Sequence, residues 1–562
     1  MVDRLHHRGP DDRGTWISAG AHLGHSRLSI LDLSPAGHQP MSYGPLTITY
    51  NGEVYNFREL RRGMAGEFHS DCDTEVVLRL FSEKGAAALD QLRGMFAFAV
   101  WDERRHRLFA ARDRLGIKPL YYREFDGGLA FASEIKALLE LGRPSVDRSA
   151  LRDYFTYRYI PAPKTVYKGI RELPAGHWLT WDGKLTIDRW WEPTSGVLIS
   201  DMDEATERLD DLLSTIVPDH TMADVPVGVF LSGGIDSTTT AAYVDRPRTF
   251  TMGSEVGHRD EAPIARQVAE HLGAQHHELM AGAVDLERAL ETQPVLFDQP
   301  FGDSASWSTW LVSKLAREHV TVALCGEGGD ELFYGYQWYT RWFDTGSRRI
   351  ASVLAGVLPT FSQFGRSMQR RSATGLDLYA NYLGPFTVRQ RRALLGDFLA
   401  EDGYDDLWFF RAHWREDLEP LKRLQWTDLH TYLCGDLLAR VDRASMFHSL
   451  EMRPPLLDHQ LVEFAVSLDS SLLLDPKRGK GKLVVRKLMA GRLPEGVFEQ
   501  PKRGFNLPIS RWVARRPELM RGALDRLSEA GIIRRPRVLR FTNEQSWALL
   551  TLDRWMTSSG AI

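Results

Sequence analysis

The residues best placed to do chemistry stand in one short string. Ser232-Gly233-Gly234-Ile235-Asp236-Ser237 follows the apolar run from Val227 to Leu231 and opens the run from Ile235 to Val244. Pro226 and the Gly-Gly pair bound the first run, which reads as a buried strand, and the second reads as a helix. Strand, glycine turn and helix N-terminus together make an anion site: free N–H groups point outward and the helix dipole favours negative charge. Gly233 and Gly234 let a phosphate approach the backbone where a Cβ would stand in its way. The Ser232 and Ser237 hydroxyls add donors, and Asp236 brings a carboxylate to where a phosphate-bound Mg²⁺ needs oxygen. A second string, VTVALCGEGGDELFYGY (320–336), repeats the design of apolar strand, glycine turn and acidic helix start. Glycine turns at two strand ends can face one nucleotide from both sides. No GxxxxGK[ST] segment occurs, so a Walker-type γ-phosphate kinase or ATPase is not indicated.

The flanking sequence predicts the scaffold for these turns. RTFTMGS (248–254) reads as a strand, DEAPIARQVAEHLG (260–273) as a helix closed by Gly273, and QHHEL (275–279) as a short strand. The tract 286–319 reads as helical around the loop FDQPFGDS. Strands alternating with helices imply a parallel sheet with ligands at the carboxyl ends of its strands. The C-terminal part reads as helical. Arg440, Asp442, Arg443, Glu451 and Arg453 fall there in a largely apolar helical tract, where buried charges must pair, either as an ion network supporting the site or in direct contact with substrate. Before residue 195 the pattern is different. Period-two strands punctuated by Gly, Asn and Pro suggest mixed sheets, with a helix over Asp73–Gly85. Gly196–Asp203 reads as a linker and Glu204–Val217 as an amphipathic helix.

Composition narrows the class. Of 562 residues 43% are hydrophobic and 26% charged, as in soluble globular proteins, and a net charge of −4 gives no reason to expect nucleic acid or an anionic membrane. Cys72, Cys325 and Cys434 have neither metal nor disulfide spacing, which suits a reducing cytosol. His6, His7 and His448 lack metal-ligand spacing and read as structural. No apolar signal segment opens the sequence, and a cytoplasmic location is expected.

The SGGIDS string resembles the pyrophosphate loop of N-type ATP pyrophosphatases, which cut ATP between its α and β phosphates. HRGPDD, RLSILD, YNGEVYN, SDCDTE, GMFAFAVWD and RDRLGIKPLYY, in that order, resemble class II (N-terminal-nucleophile) glutamine amidotransferase domains. GEGGDE, DLLARVDRASMFHSLEMRPPLLDHQLVEFA, GKGKLVVRKLM and PKRGFNLPISRW resemble the synthetase domain of glutamine-dependent asparagine synthetases. The resemblance implies α/β and α+β classes in two domains. An N-terminally truncated αββα sandwich spans 1–195, and a parallel-sheet nucleotide domain with a helical C-terminal part spans 204–562. By that resemblance Arg27 holds the glutamine carboxylate, Asp73 its α-amino group, and Glu53 helps bind it. The Asn51 side chain and the Gly52 amide form the oxyanion hole that such chemistry needs. Leu231, Met252, Cys325 and Gly326 contact the adenosine through their backbones, while Ser232, Gly233, Gly234 and Ser237 cradle phosphate. Asp236 and Asp330 hold Mg²⁺, Glu327 lies at the acyl-adenylate, and Lys482, assisted by Arg486, follows the departing pyrophosphate.

The resemblance implies ATP and Mg²⁺ as cofactors and small-molecule partners only: aspartate, glutamine or ammonia, and ATP. It allows a homodimer. One departure stands out. The family nucleophile is a cysteine at the mature N-terminus, but position 2 is Val2 and no cysteine precedes Cys72, which reads as a small buried residue. The chain as written is therefore expected to use ammonia and not glutamine. Two other readings share these features: an enzyme amidating another carboxylate or closing a β-lactam ring, and a non-catalytic binding or regulatory subunit.

Overall fold

The computed structural model describes residues 1–194, 196–254, 261–281, 286–342, 348–499, 513–535 and 541–560. The tract 501–512, which carries PKRGFNLPISRW, lies outside the described residues.

Strand Gly94–Asp102 shows how the first part is layered. Alternate side chains of a strand point to opposite faces. Phe96, Phe98 and Val100 enter one apolar cluster, with Val76, Val77 and Leu80 of helix Asp73–Lys84. Ala97, Ala99 and Trp101 enter another, with Leu23 and Tyr122. The strand sits inside a six-stranded antiparallel sheet whose order is 185–189, 177–181, 107–112, 94–102, 46–54, 41–43. A three-stranded sheet (Gly128–Ala132, Tyr121–Phe125, Ile170–Glu172) and a hairpin (Asp12–Ile17, His22–Arg27) accompany it. Helix Ile135–Leu138 packs on the three-stranded sheet, completing a helix–sheet–sheet–helix order. Helix Arg148–Tyr157 turns away from these sheets. The Tyr154 hydroxyl bonds the carbonyl of Ala548 at 2.8 Å, and Tyr157 stacks edge-on against Phe410.

The second part is built on a five-stranded parallel sheet in the order Gln275–Ala281, Arg248–Ser254, Val227–Phe230, Val322–Leu324, Glu451–Arg453. The chain runs outward from 227–230 through 248–254 to 275–281, then returns to place 322–324 on the other side of its starting strand. That reversal is a topological switch point, the place where open parallel sheets take ligands at the carboxyl ends of their strands. Both glycine turns sit at it. Helices Ile235–Ala242, Ala262–His271, Leu286–Phe297 and Ala305–Arg317 follow as the periodicity predicts, the first ending two residues early.

One expectation fails. Arg440, Asp442 and Arg443 do lie on a helix, Leu438–Met446, but Glu451 and Arg453 lie on the sheet's last strand. The helix ends at Met446, Ser449 takes a left-handed φ of +55°, and Pro454 disfavours helical backbone at Arg453 before it. Glu451, Met452 and Arg453 find backbone partners along 322–324 instead. The predicted linker is also fixed: Ile199 is buried, donates its N–H to Ser467 O at 2.9 Å and accepts the N–H of Asp469 at 2.8 Å. No helix among the described residues is long and apolar enough to cross a membrane.

Candidate functional site

The first turn is closed by its own serines. The Ser232 and Ser237 hydroxyls lie 2.9 Å apart, and the N–H groups of Ser232 and Gly234 donate to Ser237 Oγ at 3.1 Å and Ser232 Oγ at 3.3 Å. Gly233 has φ +71°, where a side chain would be strained, and a Cβ there would meet Ile264 at 3.0 Å. Leu231 is buried; its N–H donates to Phe250 O at 2.9 Å and its carbonyl accepts from the Thr251 hydroxyl. Met252 stands half-buried on the neighbouring strand, beyond the Phe230–Phe250 pair and level with the turn.

The second turn touches the first. A Cβ on Gly326 would come within 2.5 Å of Ser237 N and 2.8 Å of Asp236 C, so the turns pack backbone against backbone. Cys325 donates its N–H to Arg453 O at 3.0 Å and buries its side chain among Val441 and Met452. Asp236, in the first turn of its helix, and Asp330, in helix Gly329–Phe333, converge on one nitrogen. Lys482 Nζ lies 2.7 Å from Asp330 Oδ1 and forms an ion pair with Asp236. Lys482 is buried, and Gly335 leaves it room: a Cβ there would lie 2.3 Å from Lys482 Cε.

These residues fit a hard cation. Two carboxylates from different elements already share one positive charge, and oxygen is the donor Mg²⁺ takes. No group of three or more His, Cys, Asp or Glu with metal geometry occurs among the described residues, so phosphate and water would complete the shell.

Glu327, partly exposed, accepts a 2.7 Å bond from Arg440, which also holds Asp303 at 2.9 Å. Burial opposes the charge of Arg440, but Glu327 and Asp303 outweigh it and keep the guanidinium protonated. Sequence reasoning missed Glu331. Burial pushes its carboxyl up to about 8, against the hydrogen bond it accepts from the Tyr336 hydroxyl, so it is a neutral acid near pH 7. Nothing in the string GDEL distinguishes it from Asp330; depth does. Arg486 is occupied elsewhere, by Gly481 O and Phe498 O, each at 3.0 Å.

The other sequence-predicted residues line a cleft of about 750 Å³ in the first part: Arg27, Asn51, Gly52, Glu53, Cys72 and Asp73. Arg27 donates to the carbonyls of Leu31 and Ser34 at 3.1 and 3.2 Å and holds that turn. Asn51 Nδ2 and Glu53 Oε1 are buried without a hydrogen-bond partner among the described residues, which leaves one donor and one acceptor at the cleft. At Gly52 a Cβ would meet Met95 O at 2.1 Å. Asp73 accepts from the Tyr50 hydroxyl at 2.6 Å and from Val54 N at 2.9 Å, and burial still pushes it up to about 6. The Cys72 thiol is also raised, by burial and by Asp73.

The expected network of Arg440, Asp442, Arg443, Glu451 and Arg453 exists, and it reaches much further than the sequence suggested. Asp442 takes both arms of Arg8 at 2.8 and 3.0 Å, Arg443 pairs with Glu134 at 3.0 Å, and Arg453 pairs with Glu451 and Glu53 at 2.9 and 2.8 Å. His7 lies 3.1 Å from Glu134, while His448 packs against Trp310 and is pushed down to about 4 by burial.

A family model described as glutamine amidotransferase domain matches residues 1–191. Asparagine synthetase [glutamine-hydrolyzing] 1 of Bacillus subtilis is 33% identical over 537 residues, covering 91% of this chain and 84% of that protein. A putative asparagine synthetase [glutamine-hydrolyzing] of Mycobacterium bovis is 35% identical over 551 residues, covering 91% and 83%. Amidase chry2 of Gibberella zeae is 29% identical over 578 residues, covering 91% and 85%. Residues 208–557, which carry both glycine turns and Lys482, match the family model described as asparagine synthase, and with that match the chain belongs to the asparagine synthase family.

Proposed function

We propose that this chain uses ATP to activate a carboxylate, the side chain of aspartate, and converts it to an amide in the cytoplasm. The segment 204–562 carries the adenylation and 1–195 the glutamine site. The meeting of Asp236, Asp330 and Lys482 between two touching glycine turns carries this reading. Cleavage of ATP between α and β needs no protein nucleophile; it needs charge neutralised on the departing pyrophosphate.

In this reading Leu231, Met252, Cys325 and Gly326 seat the adenosine, and Ser232, Gly233, Gly234 and Ser237 present backbone to phosphate. Asp236 and Asp330 hold Mg²⁺, which when bound supplies electrophilic stabilisation of the phosphates. Lys482 then turns from the two carboxylates to the leaving pyrophosphate. The substrate carboxylate attacks the α-phosphorus, the α–β bridge bond breaks, and an aspartyl-adenylate and pyrophosphate form. Ammonia attacks the acyl carbon, the bond to AMP breaks, and Glu327, held by Arg440, is placed to take the proton that ammonia sheds.

The cleft of the first part suits glutamine. Glu53 and Asp73 would meet its ammonium, Arg27 its carboxylate, and Asn51 Nδ2 with the Gly52 amide an oxyanion. A thiolate is not available from Cys72, whose proton is held by burial and by Asp73. These 562 residues therefore make the amide from ammonium salts and not from glutamine.

Nucleotide products resolved by chromatography test this, with aspartate and a panel of other carboxylates, each supplied with ammonium chloride or glutamine. Repeated turnover to AMP and pyrophosphate is expected with aspartate and ammonium, and no more than a single equivalent of pyrophosphate per chain with glutamine as sole nitrogen source. ADP as main product would overturn the ATP reading. AMP only with another carboxylate would reassign the acceptor, and glutamine-dependent amidation would show that a nucleophile had been overlooked.

A further inference from the structure

Arg453 touches both candidate sites at once. Its side chain is fully buried, and four bonds hold it: Nε to Glu451 at 2.9 Å, Nη1 to His220 O at 3.0 Å and Met222 O at 2.7 Å, and Nη2 to Glu53 at 2.8 Å. Its own carbonyl accepts the N–H of Cys325, the residue that opens the turn bearing Gly326 and Glu327. Glu53 follows Asn51 and Gly52 directly on strand Leu46–Val54 and lines the cleft. One Glu53 oxygen belongs to Arg453, while the other, Oε1, is buried without a hydrogen-bond partner among the described residues.

We infer that the Glu53–Arg453 pair couples the two sites, so that an amino acid bound through its ammonium in the N-terminal cleft changes the affinity of the nucleotide site. The inference rests on the glutamine and ATP readings above. Its physical basis is the rigidity of the pair. A guanidinium is a planar fork with fixed donor directions, so a partner cannot shift without breaking a bond. Breaking one in a buried site leaves a charge uncompensated. An ammonium drawn to Glu53 Oε1 pulls on a carboxylate whose other oxygen Arg453 holds. The strain passes to strand Glu451–Arg453 and, through the Arg453 carbonyl, to the Cys325–Glu327 turn. Arg453 is a positioning residue in this scheme and touches no reacting atom.

Coupling of this kind is reciprocal and amounts to about 5- to 150-fold in affinity. The test is calorimetric titration of α,β-methylene-ATP with Mg²⁺ into the full chain, with and without saturating glutamine, and of glutamine with and without the nucleotide. In the wild type both ligands should bind, and each should shift the other's Kd by the same factor, at least fivefold. In Arg453→Lys the chain should still bind the nucleotide, with the shift below twofold even at saturating glutamine. Where Arg453→Lys does not fold, Glu53→Gln breaks the pair from its other end; because Glu53 also meets the ammonium in this reading, glutamine is raised until it saturates the variant, and the shift should then fall below twofold as well. A wild type that binds both ligands with no shift would overturn the coupling and leave the function standing. A shift preserved in the variants would overturn the role of this pair. Absence of glutamine binding would remove the reading of the cleft, and the coupling with it.

Discussion

Lys482 stands at φ +60°, in the left-handed region, where its N–H donates to Phe333 O at 2.8 Å and helix Leu483–Met489 begins. A non-glycine residue there costs on the order of 1–3 kcal/mol, tolerated because the surroundings fix it. The backbone thus aims an ammonium at two carboxylates. Lys482→Ala keeps that backbone and removes only the charge that follows the pyrophosphate. Turnover should fall on the order of 10²–10³-fold, with the nucleotide Kd changed much less. Steady-state rates beside equilibrium nucleotide binding check it, and near-normal turnover would return Lys482 to a structural role. At this scale the sequence pointed to Asp236 through its string, and to Asp330, Asn51 and Lys482 through family likeness. It could not show Glu53 bound to Arg453 across 400 positions, because no local spacing encodes such a pair. Nor could it show Glu331 as a neutral acid, since burial alone sets that.

Among elements, the two turns matter as a pair. Each was legible as strand, glycines and helix start, but their contact follows from strand order, which a period cannot report. Gly326→Ala would drive a Cβ into the backbone of Asp236 and Ser237 and part the turns. A misplacement near 1 Å can cost on the order of 10² in rate, so turnover should fall by that order while the thermal midpoint moves little. Retained activity would show that the turns move apart freely. Strand Glu451–Arg453 was read as helix because its apolar neighbours fit either period; the breakers on both sides decided otherwise. Helices Trp408–Ala412 and Pro420–His430 meet through stacked His413 and His430, 5.1 Å apart. Burial first, then nearby positive charge, pushes them down to about 3 and about 4 from 6.5. The unfolded chain binds protons there that the fold refuses, so their contribution is complete above pH 6.5 and is lost as pH falls. His413→Phe removes part of that linkage. Its thermal midpoint should gain on the wild type as pH drops from about 7 to about 5, and parallel midpoints would refute the linkage.

Across the whole molecule, the change from period-two strands to alternating strands and helices marked two architectures, and both are present. What the sequence hid is how they are joined. One apolar cluster runs from Tyr55, Leu151 and Tyr154 through Val229 and Leu324 to Trp547, and the charged seam of Arg8, Glu134, Asp442, Arg443 and Arg453 lies beside it. Residues far apart in the chain supply each half of it, so no window of sequence contains it. Removing one partner from such a buried pair costs about 3–5 kcal/mol, which penalises any partial opening of the seam. Chains of two architectures often melt in steps. Here neither part can let go without uncovering the other's core and stranding its charges. Differential scanning calorimetry should therefore record a single endotherm, with calorimetric and van't Hoff enthalpies in agreement. Two separated endotherms would mean that the seam yields first; a single one makes this two-part enzyme one cooperative unit toward heat.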